Sequence, residues 1–511
     1  MKKIIIIAVS ALTALLASCN MDKFPHGAIL EEEGVKTMQD AAGFRVGLYT
    51  PMKSLLGGAR YTMEEIRGGM FHAMVDYGNV NGSLYRWEMT STEPTAESLW
   101  YGDYAAIVSV NYTIDAYKKL LDDEKSGLSE EDKATLQDYY AEAHLTRAML
   151  YWDLVTKFCV AYDPLVHEEG NDKLGLPLQT AYNPSSDVTT YPGRSSLLDT
   201  YKLIEDDLLT ALDMSAEGQA NNNYYSKDLV KALLARLYLN MQDYPKAASY
   251  AEEVILSNRY TLAKDDAELE SLFISDISKE LIFVVYGELN DPPTSTGSLF
   301  INDNKKGTGE DPDPFYIPSK TLLNLYDKAN DMRYPLFFQT HEIEAAGQDP
   351  EDLELLWKFV GNPIYQKTTG VLNYVNAGKI RISEMYLTLA EAAAMLKTDV
   401  GLQKASNRLN ELRASRIKNY VDEEYDSSNI MTHIKAEWSR EFVGEGFRMI
   451  NLKRWKDDLT HGEPQSVSLV YNGSELSQYD KSITHSRAIW PIPKREMDVN
   501  PQMKGQQNLG Y

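Results

Sequence analysis

Between Gly57 and Trp100 the chain gathers Tyr61, Phe71, Tyr77, Tyr85 and Trp87 among Asp76, Asn79, Asn81 and Arg86. A second stretch repeats the mixture with Tyr286, Asn290, Phe300 and Asn302. Flat apolar rings beside short polar side chains suit a ligand with C–H faces rimmed by hydroxyls, which describes a saccharide. Tyr61, Tyr77, Asn81, Tyr85, Trp87, Tyr286, Asn290 and Phe300 are therefore candidate ligand-binding residues. Trp100 joins them, although its place on a helical stripe with Tyr104 and Ile107 favours packing. The two stretches are expected to be long loops that converge in one shallow groove.

Patterns for covalent or metal chemistry are incomplete. His167-Glu168-Glu169 and His341-Glu342-Ile343-Glu344 begin like a zinc-protease helix but lack the second histidine four residues on. The 8 histidines are scattered without metal-ligand spacing, and there is no nucleophile elbow. Gly307-Thr308-Gly309 leads into acidic residues that repel phosphate. Asn302, Asn304, Gly307 and Asp313 resemble a calcium loop, but Lys305 and Lys306 inside it read as a solvated turn. Carboxylate pairs are so common in this chain that spacing alone does not exclude a glycosidase dyad. The expectation is no catalytic residue, no metal and no cofactor.

Composition sets the frame for these residues. The 511-residue chain is 43% hydrophobic and carries a formal charge of −24, so a large core is expected and nucleic acid is not a partner. Met1-Lys2-Lys3, the apolar run Ile4–Leu16 and Ala17-Ser18-Cys19 have the order of a secretory signal, too short to span a bilayer comfortably. Leu16-Ala17-Ser18-Cys19 also resembles the bacterial lipobox. Residues 1–18 are then a lipoprotein signal peptide, Cys19 carries the lipid, and residues 19–34, with Phe24-Pro25-His26-Gly27, form a tether. Cys159, the other cysteine, reads as a small buried hydrophobe.

Helical periodicity dominates the remainder. Ala41, Phe44, Leu48 and Met52 share one face, as do Trp100, Tyr104, Ile107, Asn111 and Ile114. Ser129 is placed to cap a helix, with Asp132 completing a capping box. Residues 228–258 read as a tetratricopeptide-like pair turning at Asp243-Tyr244-Pro245, with Ala235, Ala247 and Ala251 at the close contacts. A second pair runs from Ile382 through Ala394 and from Leu402 to Arg416, and a third, less regular one covers Tyr139 to Phe158. Ile282 to Tyr286 predicts a short strand. Residues 35–511 form one domain, its scaffold at about 35–56, 95–260 and 380–460, its loops at about 57–94, 287–318 and 460–487.

Several stretches carry a family resemblance. These are Arg147-Ala148-Met149-Leu150-Tyr151-Trp152-Asp153, Arg381-Ile382-Ser383-Glu384-Met385-Tyr386-Leu387 and the ending Trp490-Pro491-Ile492-Pro493. The most diagnostic runs from Glu437 to Trp455, where charged residues alternate with Trp438, Phe442, Phe447 and Trp455. That segment reads physically as scaffold, with helix-face ion pairs outside and aromatics inside. In this order, behind a lipobox, the stretches resemble the SusD/RagB family of nutrient-binding lipoproteins. The resemblance implies a mainly α protein whose tetratricopeptide-like helix pairs form a right-handed superhelical scaffold with a loop-rich, minor-β ligand region. It implies non-catalytic capture of oligosaccharide or polysaccharide at the outside of the outer membrane, and a SusC-like TonB-dependent transporter for which the protein is the lid. Oligopeptide capture of the RagB kind is the alternative; a lipid-anchored hydrolase and a purely structural subunit are the other readings.

Overall fold

The computed structural model describes residues 34–218, 222–285, 287–302, 312–370, 372–376 and 378–511. Residues 1–33, where the signal peptide, Cys19 and the tether are expected, lie outside the described residues, as do Tyr286 and Asn304 to Gly309. In chain order the main elements are α1 (Met38–Leu55), α2 (Gly58–Ile66), β1 (Phe71–Ala73), α3 (Pro94–Asp122), α4 (Glu130–Phe158), α5 (Leu197–Ala211), α6 (Lys227–Asn240), α7 (Tyr244–Leu256), β2 (Leu281–Phe283), β3 (Tyr316–Pro318), β4 (Phe338–Ile343), β5 (Glu351–Leu356), β6 (Ile380–Arg381), α8 (Ile382–Met395), α9 (Asp399–Ala414), α10 (Ile430–Glu441) and α11 (Arg448–Trp455). The protein is mainly α, and its described strands pair as three small antiparallel ribbons, β1–β3, β2–β6 and β4–β5.

Local chemistry sets the helix starts. Thr37 and Asp40 form a capping box at the head of α1. The box read from Ser129 and Asp132 opens α4: the Ser129 hydroxyl accepts from the Asp132 amide at 3.1 Å, and the Asp132 carboxylate accepts from the Ser129 amide at 3.1 Å. Asp243 caps α7, with Pro245 in its first turn. The pair α6–α7 matches the tetratricopeptide reading, since Ala235, Ala247 and Ala251 are fully buried. The pair α8–α9 does likewise, around buried Ala390 and Ala393. Consecutive helices from α3 to α9 pack each on the next, so each buries the face its neighbour leaves open.

Two expectations need correcting. Tyr139 to Phe158 is no helix pair but the C-terminal two-thirds of the single 29-residue α4, which no glycine or proline interrupts. The stretch 57–94 is only partly a loop, because it folds into α2, β1 and a short helix at Gly82–Tyr85. Its polar composition hid the apolar face of α2, where Met63 and Ile66 are buried.

The Glu437–Trp455 segment is scaffold as expected, yet its charges enter the core along with its aromatics. Arg333 Nη1 donates to Glu437 at 2.6 Å and to Glu441 at 2.9 Å, while Arg333 Nη2 donates to Asp331 at 2.8 Å. Arg416 bridges Glu280 and Glu441, and Arg381 bridges Glu441 and Glu445. Lys358 completes the network on Glu445. Such buried charge survives because each ion has several partners.

Candidate binding surface and family

β1 positions the site. It pairs with β3 in the register Phe71↔Pro318, His72↔Ile317 and Ala73↔Tyr316. On its other side Val75 donates to Leu469 and Tyr471 donates back to Ala73, at 2.8 and 2.9 Å. The first loop is therefore held between the end of the second loop and the third loop. Beyond β1 the chain turns sharply, with Asn79 at φ 57°, Asn81 at φ 53° and Trp87 at φ 58°. Facing it, Asn472 lies at φ 51°. Asparagine tolerates the left-handed region, but tryptophan there is strained, and such positions gather at ligand sites.

Rings and polar groups meet at these turns. The Tyr77 and Tyr471 rings lie 5.4 Å apart, and Tyr77 continues to Tyr316 at 5.9 Å. Arg86 donates to the Tyr77 hydroxyl and, at 3.0 Å, to the Asn79 side-chain oxygen. Its Nε pairs with Glu88 at 2.8 Å. Asn472 donates to the Tyr479 hydroxyl at 2.6 Å. Asp76, Asn79 and Asn472 are exposed, while Asn81, Arg86 and Tyr471 are half-buried. Burial raises the Tyr77 phenol against the opposing pull of Arg86, so the hydroxyl stays neutral. The Arg86 guanidinium is held charged: burial opposes this, and Glu88 outweighs it. The surface thus offers an aromatic edge, amide groups and one cation-donor fork, which can stack a ring and hydrogen-bond its rim.

The candidate residues fall into different places. Asn81 is at this surface, whereas Tyr77 is buried just beneath it, 5% exposed, its ring against Tyr471 and Tyr316. Tyr85 is buried one layer below, against Tyr316 at 5.5 Å and Tyr479 at 5.8 Å. Trp87 is 3% exposed in a small core with Met449 and Leu452, its indole N–H donating to the Arg67 carbonyl. Trp100 is 1% exposed, packed on Tyr104 and Phe158 as its stripe foretold. Phe300 is fully buried, 4.7 Å from Phe71. Packing occupies the faces of these four rings, so they support the surface rather than form it. Tyr61 is half-buried on α2, where burial and the nearby Glu445 push its hydroxyl well up.

Asn290 is exposed in the Glu288–Asp291 turn, tied to α1 through Lys53 and Asp291. The second loop therefore reaches the site through Phe300, Phe315 and Tyr316, and not through that turn. Sequence reading missed Tyr471 and Asn472. The signal was there: Tyr471-Asn472-Gly473 pairs an aromatic with turn residues, as Tyr77-Gly78-Asn79 does.

Elsewhere, His167 is buried and its ring nitrogen accepts from the Asp163 amide. His341 stacks on Trp357. Among the described residues no group of three or more His, Cys, Asp or Glu is placed to hold a metal ion. Cys159 is buried and unpaired, its thiol pushed up to about 11 by burial.

Two family models match the sequence, one described as the SusD family over residues 302–511 and one as starch-binding associating with outer membrane over residues 43–239. The chain belongs to the SusD family. Among solved structures, a SusD superfamily protein from Bacteroides thetaiotaomicron is 25% identical, with a TM-score of 0.76 over 92% of this chain and 99% of that one. A SusD superfamily protein from Bacteroides vulgatus is 21% identical, with a TM-score of 0.75 over 93% and 100%. A SusD-like carbohydrate binding protein from the same species shares 17% identity and the same fold, at a TM-score of 0.71 over 92% and 97%. No curated protein matches the sequence. Among the described residues of this SusD-family chain, no helix is long and apolar enough to cross a membrane.

Proposed function

We propose that this SusD-family chain is a non-catalytic binding protein for oligosaccharide or polysaccharide nutrients. Lipid on Cys19 anchors it in the outer membrane, facing the cell exterior. It delivers its ligand to a SusC-like TonB-dependent transporter, which it covers as a lid. The observation that carries the ligand reading is the half-buried Tyr471 ring, backed by buried Tyr77 and flanked by Arg86 and by three asparagines held in the left-handed region. Ring faces and fixed amides recognise C–H surfaces and hydroxyls, and the rigid turns lower the ordering cost of binding. The family description of starch binding points the same way.

The test is calorimetric titration of the lipid-free chain with neutral oligosaccharides and with oligopeptides. Saccharide binding that falls about tenfold or more in Tyr471→Ala and in Arg86→Ala, at unchanged melting temperature, supports the reading. Binding of peptides alone moves the chain to oligopeptide capture. Release of new reducing ends by the purified protein makes it a hydrolase.

A further inference from the structure

The chain around Arg86 is built to hold one ion pair. The short helix Gly82–Tyr85 ends in a left-handed residue, a place that glycine usually takes, and here it is Trp87 at φ 58°. The Trp87 amide donates to the Leu84 carbonyl at 3.2 Å, and the Glu88 amide donates to the Ser83 carbonyl at 2.6 Å. With the Trp87 indole fixed in its small core, this cap sets Glu88 beside Arg86. The Glu88 carboxylate then accepts from Arg86 Nε at 2.8 Å.

The pair leaves little for an anion to grip. A two-pronged hold on a carboxylate or sulfate needs two free N–H groups on one edge of the guanidinium. Arg86 Nε is taken by Glu88, and Nη1 by the Tyr77 hydroxyl and the Asn79 oxygen. The Glu88 side chain is 55% exposed against 17% for Arg86, so the ion that water meets first is the carboxylate. A sugar hydroxyl suits that arrangement, because it can donate to Glu88 and accept from Arg86 Nη2.

The surroundings have the same sign. Residues 74–88 and 469–481, which frame the surface, hold Asp76, Glu88, Glu475 and Asp480 against Arg86 and Lys481. Asp76 and Glu475 are exposed, and neither pairs with a cation among the described residues. The Lys481 ammonium donates to the Gln478 carbonyl at 3.1 Å. An anionic sugar therefore meets like charge at contact, and at longer range it meets a chain of −24.

We infer that this surface selects neutral saccharides and rejects those bearing uronate or sulfate, and that Glu88 sets the selectivity by occupying the Arg86 fork. The inference rests on the saccharide reading proposed above and adds its substrate class.

The test titrates the lipid-free chain by calorimetry with malto-, cello- and manno-hexasaccharides. Each is run beside the same sugar with its primary hydroxyls oxidised to carboxylates, and beside the methyl ester of that acid. At about 20 mM salt the acid should bind at least about tenfold weaker than its parent, and the ester should return to within about threefold. The gap should narrow as salt is raised to about 300 mM, because screening shortens the reach of the repulsion. Glu88→Gln should shrink the gap between acid and parent at least about fivefold, and Glu88→Asp should keep it. The double variant Asp76→Asn, Glu475→Gln, which leaves the Arg86 pair in place, should shrink it about threefold. An acid that binds as tightly as its parent would overturn the inference and leave the saccharide reading standing. So would a gap that Glu88→Gln leaves unchanged at wild-type melting temperature. If Glu88→Gln lowers that temperature, the double variant decides, and an unchanged gap there overturns the inference. Failure of every neutral sugar to bind would instead sink the saccharide reading, and this inference with it.

Discussion

Arg86, Tyr77 and the two buried histidines behind them decide how the site responds to pH. The Tyr77 phenol sits above its ordinary value and the Arg86 guanidinium is reinforced by Glu88, so neither changes charge near neutrality. His72 is pushed down to about 3 by burial and then by His461, and burial lowers His461 too, so both are neutral there. Affinity for a neutral oligosaccharide should then be flat between about pH 6 and pH 8; a change beyond about threefold on calorimetry would show an unrecognised titrating contact. Glu437 behaves differently. Burial drives its carboxyl up, but Arg333 and Arg440 overcome that and hold it at about 2, against an ordinary 4.5. The unfolded chain therefore takes up this proton first. The stabilisation is complete above pH 4.5 and is lost as pH falls toward 2, a contribution on the order of 3 kcal/mol. In Glu437→Gln, unfolding free energy between pH 5 and pH 2.5 should fall by about 2 kcal/mol less than in wild type, measured by urea denaturation. Parallel curves for the two proteins would refute the assignment.

At the scale of elements, α4 carries the most consequence, because α1, α3 and α5 all pack on it. Its start depends on Ser129, so Ser129→Ala should cost about 1 kcal/mol in chemical denaturation with the binding surface intact. Ser129→Asp, which keeps a cap, should restore most of it. The cap, the α6–α7 and α8–α9 pairs and the Trp100 stripe were all legible, since each is a local pattern of period or capping chemistry. The candidate surface was legible only by half. Asn81 could be picked by residue type, but the exposure of a ring is set by what other segments place on it, and Tyr77 is left only 5% exposed. Trp87 and Phe300 look like platforms in sequence and lose their faces to Met449 and Phe71, which are hundreds of residues away. Tyr471 enters for the converse reason, because a backbone pairing of the third loop with β1 carries it beside Tyr77. No local pattern announces such a pairing. The buried charges of the Glu437–Trp455 segment escaped for the same reason: their partners Arg333, Arg381 and Arg416 come from three other segments.

For the molecule as a whole, the proposed anchor and the folded body should be separable. The buried core begins at Ala41 on α1, so no described core residue depends on Cys19. Cys19→Ala, placed behind an ordinary cleavable signal peptide, should leave the melting temperature within about 2 °C of the same chain made without lipid. Its saccharide affinity should be unchanged. The variant should lose fatty-acid labelling and move from the membrane fraction to the soluble one, because the lipid chains supply the free energy of membrane attachment. The strain used for this fractionation must lack the transporter, since the proposed partner would retain the protein without any lipid. Comparing the variant in strains with and without the barrel then separates the two attachments. Retention only where the barrel is present assigns the residual binding to docking. Retention without it would mean that the body itself holds the membrane, and Cys19 would no longer be the anchor.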